Sequence, residues 1–293
     1  MKEIVIISGK GGTGKTSITA SFAMLAGSDA IIADCDVDAA DMHLLLKPDW
    51  FMQDDFYSGV AAEIDPEKCI KCGKCEQVCR FEAINHETGQ YEVSNLNCEG
   101  CGYCGHICPA GAISMVEQNV GKWYVSDIKT GAKMVHAGLK IGADNSGKLV
   151  AKVKREAKAI ATLENKPYII VDGSPGIGCP VVSSLSGADF VVFVTEPTVS
   201  GIHDLERVYQ LVEKFRIPSG CIINKADLNE QVSAEIKLFL TNNGIQHLAD
   251  LPYDESFTKA MTNGQTIVEY PDSPITGVLT ICWTDLKLIL EKQ

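Results

Sequence analysis

Eight of the twelve cysteines lie between Cys69 and Cys108, in two runs of identical spacing. The first is Cys69-x2-Cys72-x2-Cys75-x3-Cys79 and the second is Cys98-x2-Cys101-x2-Cys104-x3-Cys108. Each run is followed by an Ala-Ile pair, Ala83-Ile84 and Ala112-Ile113, so the segment repeats its own plan. Soft thiolates suit iron, and such tight spacing lets three sulfurs cap one face of an iron–sulfur cubane. Paired C-x2-C units also build tetrahedral zinc sites, but zinc requires neither two complete four-cysteine runs nor matching tails.

A second chemistry begins at residue 9. Gly9-Lys10-Gly11-Gly12-Thr13-Gly14-Lys15-Thr16 fits the phosphate-loop pattern G-x-x-x-x-G-K-[ST], between a strand pattern and a helix pattern. Its glycines let the backbone curl so that N–H groups face phosphates at the positive end of a helix. Lys15 is expected to reach the β- and γ-phosphates and Thr16 to bind Mg²⁺. Gly9, Gly11, Gly12, Thr13, Gly14 and Ser17 complete the expected cradle. Asp36 follows the next strand pattern, in Asp34-Cys35-Asp36-Val37-Asp38, where a carboxylate orients water or metal. Asp34, Asp38 and Asp41 are neighbours read as structural. Asp172 ends YIIVD and suits holding Mg²⁺ through water, and Gly176, in Gly173-Ser174-Pro175-Gly176, suits a switch loop that senses the γ-phosphate.

These residues need a scaffold that brings strand ends together. Short apolar runs at 3–8 (EIVIIS), 31–36 (IIADCD), 168–172 (YIIVD), 190–195 (FVVFVT) and 220–224 (GCIIN) read as buried parallel strands. Helix patterns lie between them, beginning with 15–27, so the fold class is α/β with βαβ units and a mostly parallel sheet. Composition changes abruptly over 61–118, which is rich in Cys and Gly and has no long apolar run. That segment reads as a separate inserted α+β domain that does not continue the sheet, leaving 1–60 and 119–293 as the phosphate-loop domain. Residues 119–147 read as strands with turns and carry no assignable chemistry. A helix follows at 148–165, its basic stretch KLVAKVKREAK read as a solvated face. Cys35, Cys221 and Cys282 sit in apolar stretches and read as packing residues.

The chain of 293 residues, 45% hydrophobic, suffices for one large core plus a small module. Its formal charge of −12 argues against general nucleic-acid binding. No stretch approaches the roughly 20 apolar residues of a membrane span, and the N-terminus reads as a strand rather than a signal peptide. A soluble cytoplasmic protein without a membrane anchor is expected, with its thiols kept reduced.

Taken together, the motifs resemble the MinD/ParA superfamily of P-loop ATPases, in a form with an inserted two-cluster ferredoxin domain. The relatives of that group include Mrp-type cluster carriers, the nitrogenase iron protein and septum-site ATPases. The resemblance implies slow, partner-stimulated hydrolysis of Mg-ATP, with Lys10, Lys15 and Asp36 as the catalytic set. Lys10, in KGGTGKT, would cross a nucleotide-sandwich homodimer to the partner's phosphates, and Asp36 would activate water. Asn224, in Asn224-Lys225-Ala226-Asp227, and Pro252, in LPYDESF, would lie at the base. The cysteine runs resemble the bacterial two-cluster ferredoxin pattern, in which the fourth cysteine of each run serves the other cluster. That implies two [4Fe–4S] clusters, one on Cys69, Cys72, Cys75 and Cys108, the other on Cys98, Cys101, Cys104 and Cys79. Arg80 stands where the pattern has proline. Cys179, seven residues after Asp172, resembles a nitrogenase iron protein ligand to a dimer-shared cluster.

Three functions follow from this resemblance. The first is nucleotide-gated electron transfer to a redox partner, the second a cluster scaffold or carrier for apo-proteins. The third is a MinD-like spatial organiser, for which the short, mixed-charge tail TDLKLILEKQ is a poor membrane helix. Two fully ligated clusters favour the first.

Overall fold

The computed structural model describes residues 1–86, 89–270 and 273–292. In chain order the elements of the first half are β1 (Lys2–Ile7), α1 (Lys15–Ala26), β2 (Ala30–Asp34), α2 (Met42–Leu46), β3 (Met52–Ile64), α3 (Lys74–Val78), β4 (Ile84–Asn85), β5 (Glu92–Val93), α4 (Tyr103–Ile107), β6 (Ile113–Asp127) and β7 (Lys133–Leu139). The second half holds α5 (Ser146–Leu163), β8 (Tyr168–Asp172), α6 (Cys179–Leu185), β9 (Phe190–Thr195), α7 (Val199–Phe215), β10 (Ser219–Asn224), α8 (Glu230–Asn242), β11 (Gln246–Leu251), α9 (Ser256–Thr262) and α10 (Pro274–Glu291). The chain divides into two compact units. The first comprises Met1–Asp54, Trp123–Gly138 and Ser146–Gln293, and the second Asp55–Lys122 with Leu139–Asn145.

Among the described residues, nine strands form one sheet in the order β11-β10-β9-β1-β8-β2-β7-β6-β3. β1 lies between β8 and β9 and is parallel to both, with Ile4 opposite Ile170 on one side and Phe190 on the other. β2 is parallel to β8 and β7, and β10 to β9 and β11. Covered on both faces, these strands need apolar residues at every position rather than alternate ones; β2, β9 and β10 are buried throughout. α1 is buried nearly all round, and its Phe22 meets Trp283 of α10 with ring centroids 5.5 Å apart. α10 turns Leu279, Cys282, Leu286 and Leu290 into the same core. The buried thiols of Cys35, Cys221 and Cys282 are pushed up by desolvation, that of Cys282 to about 12. No helix among the described residues is long and apolar enough to cross a membrane.

Two sequence expectations change. β3 and β6 belong to the nine-stranded sheet and run into residues 61–64 and 113–118, which composition marked as outside it. Their burial is mixed along the strand, so neither shows the apolar run that marks a central strand. Nor is the basic stretch of α5 wholly solvated. Lys154 is buried, its ammonium 2.6 Å from Glu3 Oε1 and donating to the carbonyls of Ser184 and Ser186. A buried cation needs a complete set of acceptors, and here it ties α5 to β1 and the end of α6.

The stretch without assigned chemistry, 119–147, supplies most of β6 and β7, joined by a tight turn in which Ile128 N donates to Ala132 O at 3.0 Å. His136 on β7 is buried, with Nε2 3.0 Å from Ser126 Oγ. Its ring stacks on Tyr124 at 5.0 Å and meets Trp50 edge-on at 4.8 Å. Burial, helped by the nearby His43, pushes the pKa of His136 down to about 4. Because an unfolded histidine titrates near 6.5, this ring stabilises the fold fully above about pH 6.5 and withdraws that stability as pH falls toward 4. Between about pH 7 and pH 4.5, His136→Gln is therefore expected to lose about 1–3 kcal/mol less unfolding free energy than the wild type. Denaturant unfolding followed by tryptophan fluorescence measures this, and equal losses in the two proteins would contradict a neutral, buried ring.

Candidate nucleotide site and cysteine cavities

Parallel strands bring their C-terminal ends to one edge of a sheet, the usual place for a ligand in such folds. Asp34 and Asp172 end β2 and β8 and face each other in register. The loop after β1 sits beside them, and Asn224 and Pro252 stand at and just beyond the ends of β10 and β11. Gly12 and Gly14 take left-handed backbone, with φ of 80° and 89°. A Cβ at Gly11 or Gly12 would meet nothing within 4 Å, whereas one at Gly14 would fall 2.5 Å from Asn224 Nδ2. The loop is therefore open on its concave side and clamped behind. Its cavity, about 410 Å³, is lined by Lys15, Thr16, Ser17, Asp36, Pro175 and the loop glycines, among others. Those donors and that volume fit a nucleotide's phosphates.

Lys15 is buried, with Nζ 2.9 Å from Asp172 Oδ1, 3.4 Å from Asp36 Oδ2 and 3.3 Å from Thr16 Oγ1. Burial alone would lower its pKa, but Asp172 and Asp36 outweigh that and hold the ammonium above its usual value. Thr16 Oγ1 donates to Asp172 Oδ2 at 2.7 Å, and Thr19 Oγ1 to Asp172 Oδ1 at 2.9 Å. Asp36 is raised by burial, against the pull of Lys15, and the fully buried Asp34 is raised further, by burial and by Asp172. Two carboxylates, Asp172 and Asp36, share the one ammonium beside Thr16, a setting suited to a divalent cation.

Gly176, with φ of 86°, donates its N–H to Ser8 O at 2.9 Å, so the loop after β8 rests on the strand end before the phosphate loop. The Asn224 side chain is buried and donates to Thr13 O at 2.9 Å, bracing the phosphate loop. Pro252 is exposed, and the neighbouring Tyr253 N donates to Asp227 Oδ1 at 2.6 Å, which joins the two loops expected at the base. Lys10 lies against its own chain, 3.0 Å from Glu196 Oε1. Cys179 is exposed at the start of α6, away from the other cysteines in sequence and packed near Gly147. Sequence reasoning passed over Glu196 and Thr19. Glu196 follows β9 at once, so the rule that selected Asp36, a carboxylate just past a strand's C-terminal end, would also have found it.

In the second unit the two cysteine runs fold alike. α3 and α4 each start after a left-handed glycine, Gly73 and Gly102. Cys69 N donates to Asp65 O and Cys98 N to Ser94 O, both at 3.0 Å. Asp65 N in turn donates to Ala112 O and Ser94 N to Ala83 O, so each half is fastened to the Ala-Ile tail of a run. The Ala83 and Ala112 amides also donate to Cys79 Sγ and Cys108 Sγ, each at 3.4 Å, and the Ala62 amide to Cys98 Sγ at 3.5 Å. One cavity is lined by Cys69, Cys72, Cys75 and Cys108, with Ile64, Ile70 and Ile113 among the apolar residues around them. A second is lined by Cys79, Cys98, Cys101 and Cys104, with Val78, Phe81 and Met115. Four thiols around a small apolar cavity, with amides aimed at their sulfurs, suit an iron–sulfur cluster.

Residues 62–115 match the family model described as a 4Fe-4S dicluster domain. Over most of its length the chain is similar to the uncharacterised protein MJ0578 of Methanocaldococcus jannaschii, 32% identical over 264 residues, which cover 89% of this chain and 88% of the relative. A shorter stretch is similar to the pyruvate synthase subunit PorD of the same organism, 38% identical over 56 residues, 19% of this chain and 65% of that subunit. Among solved structures, the septum site-determining protein MinD of Pyrococcus horikoshii, complexed with Mg-ADP, aligns with a TM-score of 0.60, covering 97% of this chain and 95% of that one. At 19% identity that likeness is one of fold. The chain thus belongs to the family of MJ0578, and it carries a ferredoxin-type 4Fe–4S domain inserted into a MinD/ParA P-loop fold.

Proposed function

We propose that this protein is a cytoplasmic ATPase that couples Mg-ATP binding and hydrolysis, in a nucleotide-sandwich homodimer, to electron transfer from two [4Fe–4S] clusters to a redox partner. The observation that carries this reading is the presence in one chain of a phosphate-loop cavity and of two separate cavities with four cysteines each. Lys15 holds the β- and γ-phosphates, exchanging Asp172 and Asp36 for phosphate oxygens, while Thr16 ligates Mg²⁺ and Asp172 supports it through water. Asp36 orients the attacking water, Gly176 reports the γ-phosphate, and Lys10 reaches the partner's nucleotide. Asn224 and Pro252 flank the base.

Cys69, Cys72, Cys75 and Cys108 hold one cluster, and Cys98, Cys101, Cys104 and Cys79 hold the other. Bound there, such clusters supply one-electron transfer. The amides of Ala62, Ala83 and Ala112 aimed at cysteine sulfurs stabilise added negative charge, which raises a reduction potential. Likeness to a subunit of pyruvate synthase over part of the chain supports a redox role. A carrier of clusters needs thiolates that release their cargo, whereas each cavity here gathers four cysteines from one chain, which favours clusters that stay.

ATP hydrolysis by the purified protein is expected to fall to background in Lys15→Ala and by about a hundredfold in Asp36→Asn. A wild-type rate in Lys15→Ala would remove the site assignment. Anaerobically prepared protein should hold about eight iron atoms per chain, two cubanes' worth. The crossed ligation makes Cys75→Ser and Cys108→Ser perturb the same electron-spin-resonance signal, with Cys79→Ser perturbing the other. If Cys79→Ser instead alters the signal that Cys75→Ser alters, the ligands do not cross. Finally, Mg-ATP should shift the cluster potentials or speed oxidation of the reduced protein, and identical values with and without Mg-ATP would leave the carrier reading ahead.

A further inference from the structure

The lysine expected to act on a partner is engaged within its own chain. Lys10 Nζ lies 3.0 Å from Glu196 Oε1 and is also bonded to Ser200 Oγ at 3.1 Å and Thr198 Oγ1 at 3.4 Å. The other oxygen of the same carboxylate takes Lys225 Nζ at 2.9 Å. Thr198 is the N-cap of α7, its Oγ1 accepting from Gly201 N at 2.9 Å. Lys10 therefore rests at the positive end of a 17-residue helix, where a cation is disfavoured. Glu196 is the group that offsets this.

We propose that Glu196 is a positioning residue that parks Lys10 in cis, a latch that the assembly of the nucleotide-bound dimer must open. The proposal rests on the reading above that Lys10 serves the partner's phosphates, and it adds what holds that lysine back beforehand.

Three features make the latch easy to open. Glu196 keeps Lys225 when Lys10 leaves, so no buried carboxylate is stranded. Lys10 moves away from a like charge, Lys225, and from the helix N-terminus, toward phosphates that carry more charge than a shared carboxylate. The side chains of Lys10 and Glu196 are 29% and 14% exposed, so water already screens the pair in part. The backbone, by contrast, is pinned. A Cβ at Gly9 would fall 2.4 Å from Asp204 O, and one at Gly201 2.2 Å from Glu196 O, so the loop and α7 are closely packed and only the lysine side chain needs to swing. Burial works against charge on Glu196, but Lys225 and Lys10 outweigh it and hold the carboxyl below its usual range, so the latch is charged at neutral pH.

The test is the protein concentration at half-maximal dimerisation of the cluster-loaded protein, by sedimentation, with Mg²⁺ and a non-hydrolysable ATP analogue. Glu196→Gln is expected to lower it by roughly three- to tenfold, since two partly exposed pairs open per dimer. Lys225→Met leaves Glu196 wholly to Lys10 and is expected to raise it. Opposite shifts support the latch, whereas a merely structural Glu196 would weaken dimerisation in both variants. A wild type that dimerises while Glu196→Gln matches it or falls behind overturns the latch alone. A wild type that stays monomeric with the analogue removes the sandwich reading, and the latch with it.

Discussion

The Asp172 carboxylate is the point on which the nucleotide side of this structure turns. It is fully buried, yet each oxygen is occupied: Oδ1 by Lys15 Nζ and Thr19 Oγ1, Oδ2 by Thr16 Oγ1. A bare carboxylate in that position would carry a large desolvation cost, and only such a complete set of partners offsets it. All three partners come from the first turns of α1, so the carboxylate that ends β8 also fixes how that helix begins. The phosphate loop inherits its shape from this attachment, and Asn224 closes the loop from the other side through Thr13.

A similar arrangement recurs around Glu196. Asp172 is deeply buried and takes three partners from one helix, so the Thr19 hydroxyl still occupies it when Lys15 turns to phosphate. Glu196 is partly exposed and shared by two lysines, either of which can leave without stranding the other's partner. Each carboxylate thus keeps a partner when one lysine leaves, Asp172 through a buried hydroxyl and Glu196 through a second cation nearer water.

In the cysteine unit the organising constraint is repetition. Two copies of one local plan place their helices, left-handed glycines and Ala-Ile amides in matching positions. The chain crosses between them, so that the last cysteine of each run lines the cavity of the other. Lys71 and Glu82 adopt left-handed backbone where Gly100 and Gly111 stand in the second copy. At Gly100 the glycine is required, because a Cβ would fall 2.2 Å from Val60 O.

The sequence by itself determined the parts whose logic is local. Uninterrupted apolar runs marked the buried parallel strands, Gly9–Thr16 the phosphate loop, and the spacing of eight cysteines the two four-thiol groups. Tertiary structure decided what depends on residues far apart in the chain. β3 and β6 joined the sheet without an apolar run because their burial is mixed along their length. Lys154 became a buried partner of Glu3, and His136 a neutral ring among aromatics, through neighbours that no window of sequence contains. Lys10 met Glu196 from the far side of the sequence, because parallel strands deliver their C-terminal ends, and the loops that follow them, to one edge. Residue type and spacing name the chemistry, whereas charge partners and burial arise only when the sheet forms.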